Sequence, residues 1–229
     1  KQIAFVRDGD VWIVTVDAPP RQLTKHPEGF EYGVADFAAQ EELARTRGFW
    51  WSPDSKHVLF QRSDLRPMDT IYVADARHPE KAPVPFRYPR AGRPNAIVDL
   101  GVVPAAGGNP RWLARDKQYD YVSKLTWPKQ GPITVLVLDR EQYDIAMLAF
   151  DPESLASTVL VKEHDDAWIN ADGGAPYWLD DGKRFLWMTE AKGDWTLELR
   201  DAQGKVIREL LGPDFGLRHV DGIDDKFAY

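Results

Sequence analysis

The sequence predicts an all-β fold, a partial β-propeller of about four to five four-stranded antiparallel blades with one short inserted helix near 38–46. Three observations predict it. Short runs rich in β-branched and aromatic residues recur between turns of Gly, Pro and Asp. The order aromatic, turn, apolar strand repeats in "WWSPDSKHVLF", "LTWPKQGPITVL", "YWLDDGKRFLW" and, more weakly, "VDGIDDKFAY". Finally, Trp51, Trp127 and Trp178 mark that repeat at spacings compatible with a blade period of about 40–50 residues, one spacing being stretched by an insertion.

Taken in order, "IAFVRDGDVWIVTV" reads as a hairpin in which Gly9 supplies the positive φ of a tight turn. "FWWSPDSKHVLFQRSD" repeats the theme with a turn at Ser52-Pro53-Asp54-Ser55 and a strand from His57 to Gln61, followed by "DTIYVADA". "KLTWPKQGPITVLVLDREQYDIAMLAFDPES" and "PYWLDDGKRFLWMTEAKGDWTLELRDAQGKVIREL" follow the same pattern. The units so marked are 1–34, 48–90, 95–165, 168–212 and a final half unit from about Val220. The first residues are already patterned as paired strands, so residues 1–229 are expected to be an excised piece of a propeller, an arc whose end blades need covering.

Composition narrows the function. Lys and Arg number 29 against 36 Asp and Glu, and the net charge of −7 with no basic stripe disfavours nucleic acid as a partner. The absence of cysteine excludes a disulfide framework and thiolate zinc sites without fixing the compartment. No apolar run approaches the ~20 residues of a membrane span.

Catalytic signatures are missing. The chain has no Gly-x-Ser-x-Gly elbow, no His-Glu-x-x-His and no glycine-rich phosphate loop. Its six serines stand at 52, 55, 63, 123, 154 and 157, and Ser52 and Ser55 fall in a turn where a hydroxyl bonds local backbone. Histidines 26, 57, 78, 164 and 219 never pair at ligand spacing on one element, so no metal and no other cofactor is expected. "EHDDAW", 163–168, reads as a solvated connection, and "RYPRAGRP", 87–94, as a polar turn.

One stretch departs from the β pattern. From about Asp36 to Arg47 the residues are strong helix formers, and within them stand two adjacent acids, Glu41 and Glu42. Pattern alone favours a solvated helical face, with Glu41 to Arg45 and Glu42 to Thr46 as neighbours one turn apart, over a helix rim that lies across a cavity with both acids leaning toward one partner.

The run "ADFAAQEELARTRGFWWSPDSKHVLFQRSD" resembles the N-terminal propeller of the bacterial dipeptidyl peptidase IV family, serine dipeptidyl aminopeptidases related to prolyl oligopeptidase, in which a Glu-Glu helix precedes a Trp-Trp-Ser-Pro-Asp turn. The likeness extends through "VPFRYPRAGRPNAIVDLGVV" and "YDYVSKLTW" to "HVDGIDDKFAY". It implies that Glu41 and Glu42 bind the free α-ammonium of a peptide substrate, so that only a dipeptide, of X-Pro or X-Ala type, fits between them and the nucleophile. It further implies that the Ser-Asp-His triad and an oxyanion tyrosine lie in a C-terminal α/β-hydrolase domain outside 1–229, and that a carbonyl-assisting arginine lies upstream of Lys1. This chain alone is then expected to be inactive. Where some members carry Phe and Arg after a tryptophan matching Trp168, "WINADGGAPYW" offers neither. The implied partners are peptide N-termini and that hydrolase domain, with homo-oligomerisation left open. The implied compartment is the periplasm or cell envelope. The alternative is a non-catalytic binding or scaffold propeller, TolB-like, whose Glu-Glu pair is unused. The parent reading frame distinguishes them: a downstream Gly-x-Ser-x-Gly supports the peptidase.

Overall fold

The computed structural model describes residues 1–171, 176–179 and 181–224. Strands dominate it. β1 (Gln2–Arg7), β2 (Asp10–Thr15) and β3 (Ala18–Gln22) form a three-stranded antiparallel sheet, its first hairpin turning at Asp8 and Gly9, both at positive φ. The second blade uses β4 (Phe30–Tyr32), β5 (Phe49–Trp51), β6 (His57–Asp64), β9 (Ile97–Pro104) and β10 (Arg111–Trp112). Inserted into it are a helix, α1 (Phe37–Glu41), and a separate hairpin of β7 (Asp69–Val73) and β8 (Val84–Tyr88). β11 (Tyr121–Thr126), β12 (Ile133–Leu138), β13 (Asp144–Phe150) and β14 (Ser157–His164) meander into a third blade. β15 (Tyr177–Trp178), β16 (Arg184–Thr189), β17 (Thr196–Asp201) and β18 (Val206–Leu211) make the fourth.

Alternation along each strand explains how the blades stack. Ile133, Val135 and Val137 of β12 join a core with Trp50, Leu59 and Leu100 of the second blade. Leu136 and Leu138 turn the other way, toward Trp178, Phe185 and Trp187 of the fourth. Both faces of β12 are therefore covered, and all six of its residues are buried. A strand so placed reads as a near-continuous apolar run, as "ITVLVL" does, and its one polar residue, Thr134, accepts from Trp178 Nε1 at 3.2 Å. β6 behaves likewise, sending Val58 and Phe60 to the first blade and Leu59 to the third.

The three tryptophans occupy equivalent positions, as their alignment predicts. Trp51 and Trp178 end the first strand of their blades, and Trp127 directly follows β11. Each packs into the seam with the preceding blade. Four residues after each tryptophan the chain takes a positive φ, at Ser55, Gly131 and Gly182. Val220, where the sequence reading starts a final half unit, packs against Leu186, Met188 and Leu217 of the fourth-blade core, and 225–229 lie outside the described residues.

Two boundaries differ from the sequence reading. Residues 97–104, grouped above with the third unit, belong to the second blade, where β9 pairs with β6 over all eight residues from His57↔Pro104 to Asp64↔Ile97. β9 buries Val98, Leu100 and Val103, whereas the intervening β7–β8 hairpin leaves Tyr72 70 % and Phe86 50 % exposed. Apolar burial thus selects the distant strand as the partner of β6, and the nearer one is looped out. The helix also closes at Glu41, short of the expected 46, for a reason given next.

Candidate functional site

In the second blade the first strand is split. β4 pairs with the Arg62–Asp64 end of β6 and β5 with the Val58–Phe60 end, leaving Gln61 opposite the break. Residues 33–48 leave the sheet at that break and return to it. Gly33 donates its N–H to the Gln61 carbonyl and Gln61 donates its own to Gly48, both at 2.8 Å, so the strand's hydrogen bonds are completed by the two ends of the loop. Val34 and Arg47 form a bridge just above them. This pinch requires glycine: Gly33 has φ +79° and sits against Val11, and a Cβ on Gly48 would run into the Gly33 carbonyl. The last strands, β10, β14 and β18, are mostly exposed, and the break lies in the first strand, at the opposite edge of its blade.

Within the loop, Asp36 caps α1, its carboxylate accepting from the Ala39 N–H at 3.3 Å. Gln40 returns its side-chain amide to the Ala35 carbonyl, and Ala39 is fully buried. The helix ends because Ala44 adopts φ 50° and the Arg45 N–H closes back on the Ala39 carbonyl at 2.8 Å. Arg45 is thereby turned inward. Its Nη2 donates to Gln61 Oε1 at 2.8 Å and to Asp36 Oδ1 at 3.3 Å. Its Nη1 donates to the Arg47 carbonyl at 2.8 Å, and its Nε to the Val122 carbonyl of the third blade at 3.1 Å. Gln61 Nε2 completes the network, donating to Asp36 Oδ1 and Ser63 Oγ. Burial pushes the Arg45 pKa down from its ordinary value, and Asp36 pushes it back up.

Glu41 and Glu42 stand at the end of this pinned helix. Both are exposed, and among the described residues neither side chain has a hydrogen bond or ion pair. The Glu41–Arg45 neighbour pair expected from sequence is not formed, because the guanidinium is committed to four other acceptors, those of Val122 and Gln61 buried and those of Asp36 and Arg47 partly so. The sequence reading also missed Gln61, Asp36 and Arg45 as a scaffold. A polar glutamine inside the apolar strand "HVLFQRSD", with a glycine on either side of the helix, was the available signal.

The other sequence candidates resolve into local structure. Ser52 Oγ donates to Asp54 at 2.6 Å and accepts the His57 N–H at 2.9 Å, the expected turn role. In 163–168, Glu163 accepts from Trp187 Nε1 and Thr189 Oγ1, His164 lies between Asp144 and Asp166, and Asp165 caps Ala167 and Trp168. Burial, opposed by those two bonds, raises the Glu163 pKa. No group of three His, Asp or Glu among the described residues could hold a metal ion. In 87–94, Arg87 donates to the Met68 carbonyl, and Arg90 and Arg93 flank Asp69. Of the stretch 168–178, residues 172–175 lie outside the described residues. No helix among the described residues is long and apolar enough to cross a membrane.

The fold and this insertion define a class: a propeller segment that carries two adjacent acids at the end of a short helix, on a hydrogen-bonded loop at a break in the first strand of one blade. Comparison with known proteins makes the class a family. The model of the dipeptidyl peptidase IV N-terminal region matches residues 1–226, and the chain belongs to that family. Mouse dipeptidyl peptidase 8 is 24 % identical over 221 residues, covering 73 % of this chain and 25 % of that protein. The "Probable dipeptidyl peptidase 4" of Aspergillus fumigatus is 25 % identical over 238 residues, covering 91 % and 31 %. The crystal structure of Porphyromonas gingivalis dipeptidyl peptidase 4 superposes with a TM-score of 0.84 at 24 % identity, covering 97 % of this chain and 33 % of that one. The chain thus spans about a quarter to a third of the length of these relatives.

Proposed function

We propose that this chain is the substrate-recognition propeller of a serine dipeptidyl aminopeptidase, with Glu41 and Glu42 receiving the free α-ammonium of the peptide. An ammonium presents three donors, and two ionised carboxylates supply charged acceptors for them. The observation that carries the reading is that, among the described residues, both acids stand unpartnered at the end of a helix whose support is hydrogen-bonded. An acid with no internal partner is available for an external cation. The nucleophile belongs to a C-terminal α/β-hydrolase domain of the same protein, and the fixed gap between it and the glutamates limits cleavage to N-terminal dipeptides. In this chain the two carboxylates face solvent, where an ion pair is worth about 0–1 kcal/mol. The proposal therefore requires the rest of the protein to close over them.

The test uses the full-length protein that carries this chain, with glycyl-prolyl p-nitroanilide and its N-acetyl derivative. Glu41→Ala and Glu42→Ala are each expected to lower kcat/KM on the free amine at least about a hundredfold, equivalent to ~2.7 kcal/mol. The acetylated compound, which presents no cation, should be poor for the wild type and lose little further. Equal losses on both substrates, or a loss below about threefold on the free one, would show that the acids are a solvated helix end.

A further inference from the structure

α1 has five residues, too few to hold itself together in water. Whatever fixes Glu41 and Glu42 in space must therefore come from outside the helix. Leu43 packs on the core between the third and fourth blades and Phe37 against Tyr88, and beside them stands a polar device. Arg45, 7 % exposed, and Gln61, fully buried, bind Asp36 at the start of the helix and Arg47 at the close of the loop. Arg45 alone among these also reaches the neighbouring blade, at the Val122 carbonyl. Because β6 runs unbroken beneath the loop and β11 belongs to the next sheet, the guanidinium ties the acid-bearing turn to two blades at once.

We propose that Arg45 is a positioning residue for the ammonium site: it sets the placement of Glu41 and Glu42 by locking their loop to both the second and the third blade. The proposal rests on the reading of those glutamates given above. Four bonds leave Arg45 in three directions from a planar fork: toward the helix cap, toward the loop closure and across the seam to β11. A lysine, a single ammonium on a flexible stem, keeps the charge but cannot span those acceptors together. Arg45 touches no substrate in this role. Its effect is on which N-terminus the site accepts, because an unlocked loop lets the two carboxylates spread over many positions and a cation gains little from either.

The experiment compares Arg45→Met and Arg45→Lys with Glu41→Gln in the full-length protein. Each is assayed on glycyl-prolyl p-nitroanilide and its N-acetyl derivative, and amide hydrogen exchange is followed over residues 33–48. For Arg45→Met the ratio of kcat/KM on the free amine to that on the blocked one should fall at least tenfold. That fall should come mainly from KM, with faster exchange at 36–45 and little change in β12 and β13. Arg45→Lys should recover less than half of the loss on a logarithmic scale. It also decides the matter if Arg45→Met does not fold. An unchanged ratio in a folded Arg45 variant, or full recovery by lysine, overturns the positioning role even when Glu41→Gln abolishes the preference for a free amine. If Glu41→Gln itself leaves the preference intact, the ammonium reading beneath the proposal is what fails.

Discussion

The second blade carries two insertions of similar size, and they are built on opposite principles. Residues 33–48 are drawn into the molecule by polar groups: a buried guanidinium, a buried amide and a capping carboxylate. Residues 69–88 project as a hairpin whose apolar side chains, Tyr72, Val73, Val84 and Phe86, face solvent. The hairpin is fastened at its base, where Tyr88 meets Phe37 of α1 with ring centroids 5.0 Å apart, Arg87 donates to the Met68 carbonyl and Asp69 pairs with Arg93. In the first insertion the polar bonds are buried and linked, so each depends on the others. In the second they are solvated and replaceable. The two insertions therefore differ in where their hydrogen bonds are buried, and amide exchange should be slower in the first than in the second.

The comparison can be broken most severely at the pinch. Gly48→Ala must push the Gly33 carbonyl aside while the loop ends still complete the bonds of Gln61, and we expect a loss of about 3 kcal/mol in denaturant unfolding of the full-length protein. A loss under about 1 kcal/mol would mean that the loop ends are free to adjust and that the contrast with the hairpin is overstated.

Gln61→Leu comes next. It preserves volume in β6 but removes one acceptor of Arg45 and one donor to Asp36, leaving buried polar atoms unmet, at a cost of about 2 kcal/mol. The variant should also speed amide exchange through 36–45. Stability equal to wild type would indicate that water replaces the amide and that the network is not dry.

Tyr72→Ser removes the most exposed ring of the hairpin and should alter stability by no more than about 0.5 kcal/mol. A larger change would reveal a contact that supports the blade.

The smallest effect concerns pH. The hydrogen bond from Arg93 holds the Asp69 carboxyl below the usual carboxylate range, and the nearby charges of Arg93 and Arg90 add to this. A carboxyl depressed in the folded state contributes stability that is present above its unfolded pKa and is lost as pH falls through the folded value. The tie at the hairpin base should accordingly be present at neutral pH and weaken below about pH 4. Asp69→Asn should differ from wild type in amide exchange of 69–88 at neutral pH, the difference vanishing on acidification, with no change in Tm. Identical exchange at both pH values would mean that the pair contributes nothing even locally.

By itself the sequence determined what depends on neighbours along the chain. The aromatic, turn, strand repeat placed Trp51, Trp127 and Trp178 at matching points of successive blades, and the switch to helix formers located α1 and its two acids. These features rest on backbone propensity, turn chemistry and alternation, which act over a few residues. The tertiary structure alone decided which strand lies on the outer side of β6, where α1 stops and which way Arg45 points. Each is a competition between a local partner and a distant one. β9 displaces β7 from β6 because it buries apolar side chains on both faces of its sheet. Arg45 abandons Glu41, a solvated neighbour one turn away, for a carbonyl 77 residues further along and an amide in β6. In water the pair with Glu41 would be worth only a few tenths of a kcal/mol, whereas a buried guanidinium left unbonded costs several, so the distant acceptors prevail once the fold brings them within reach.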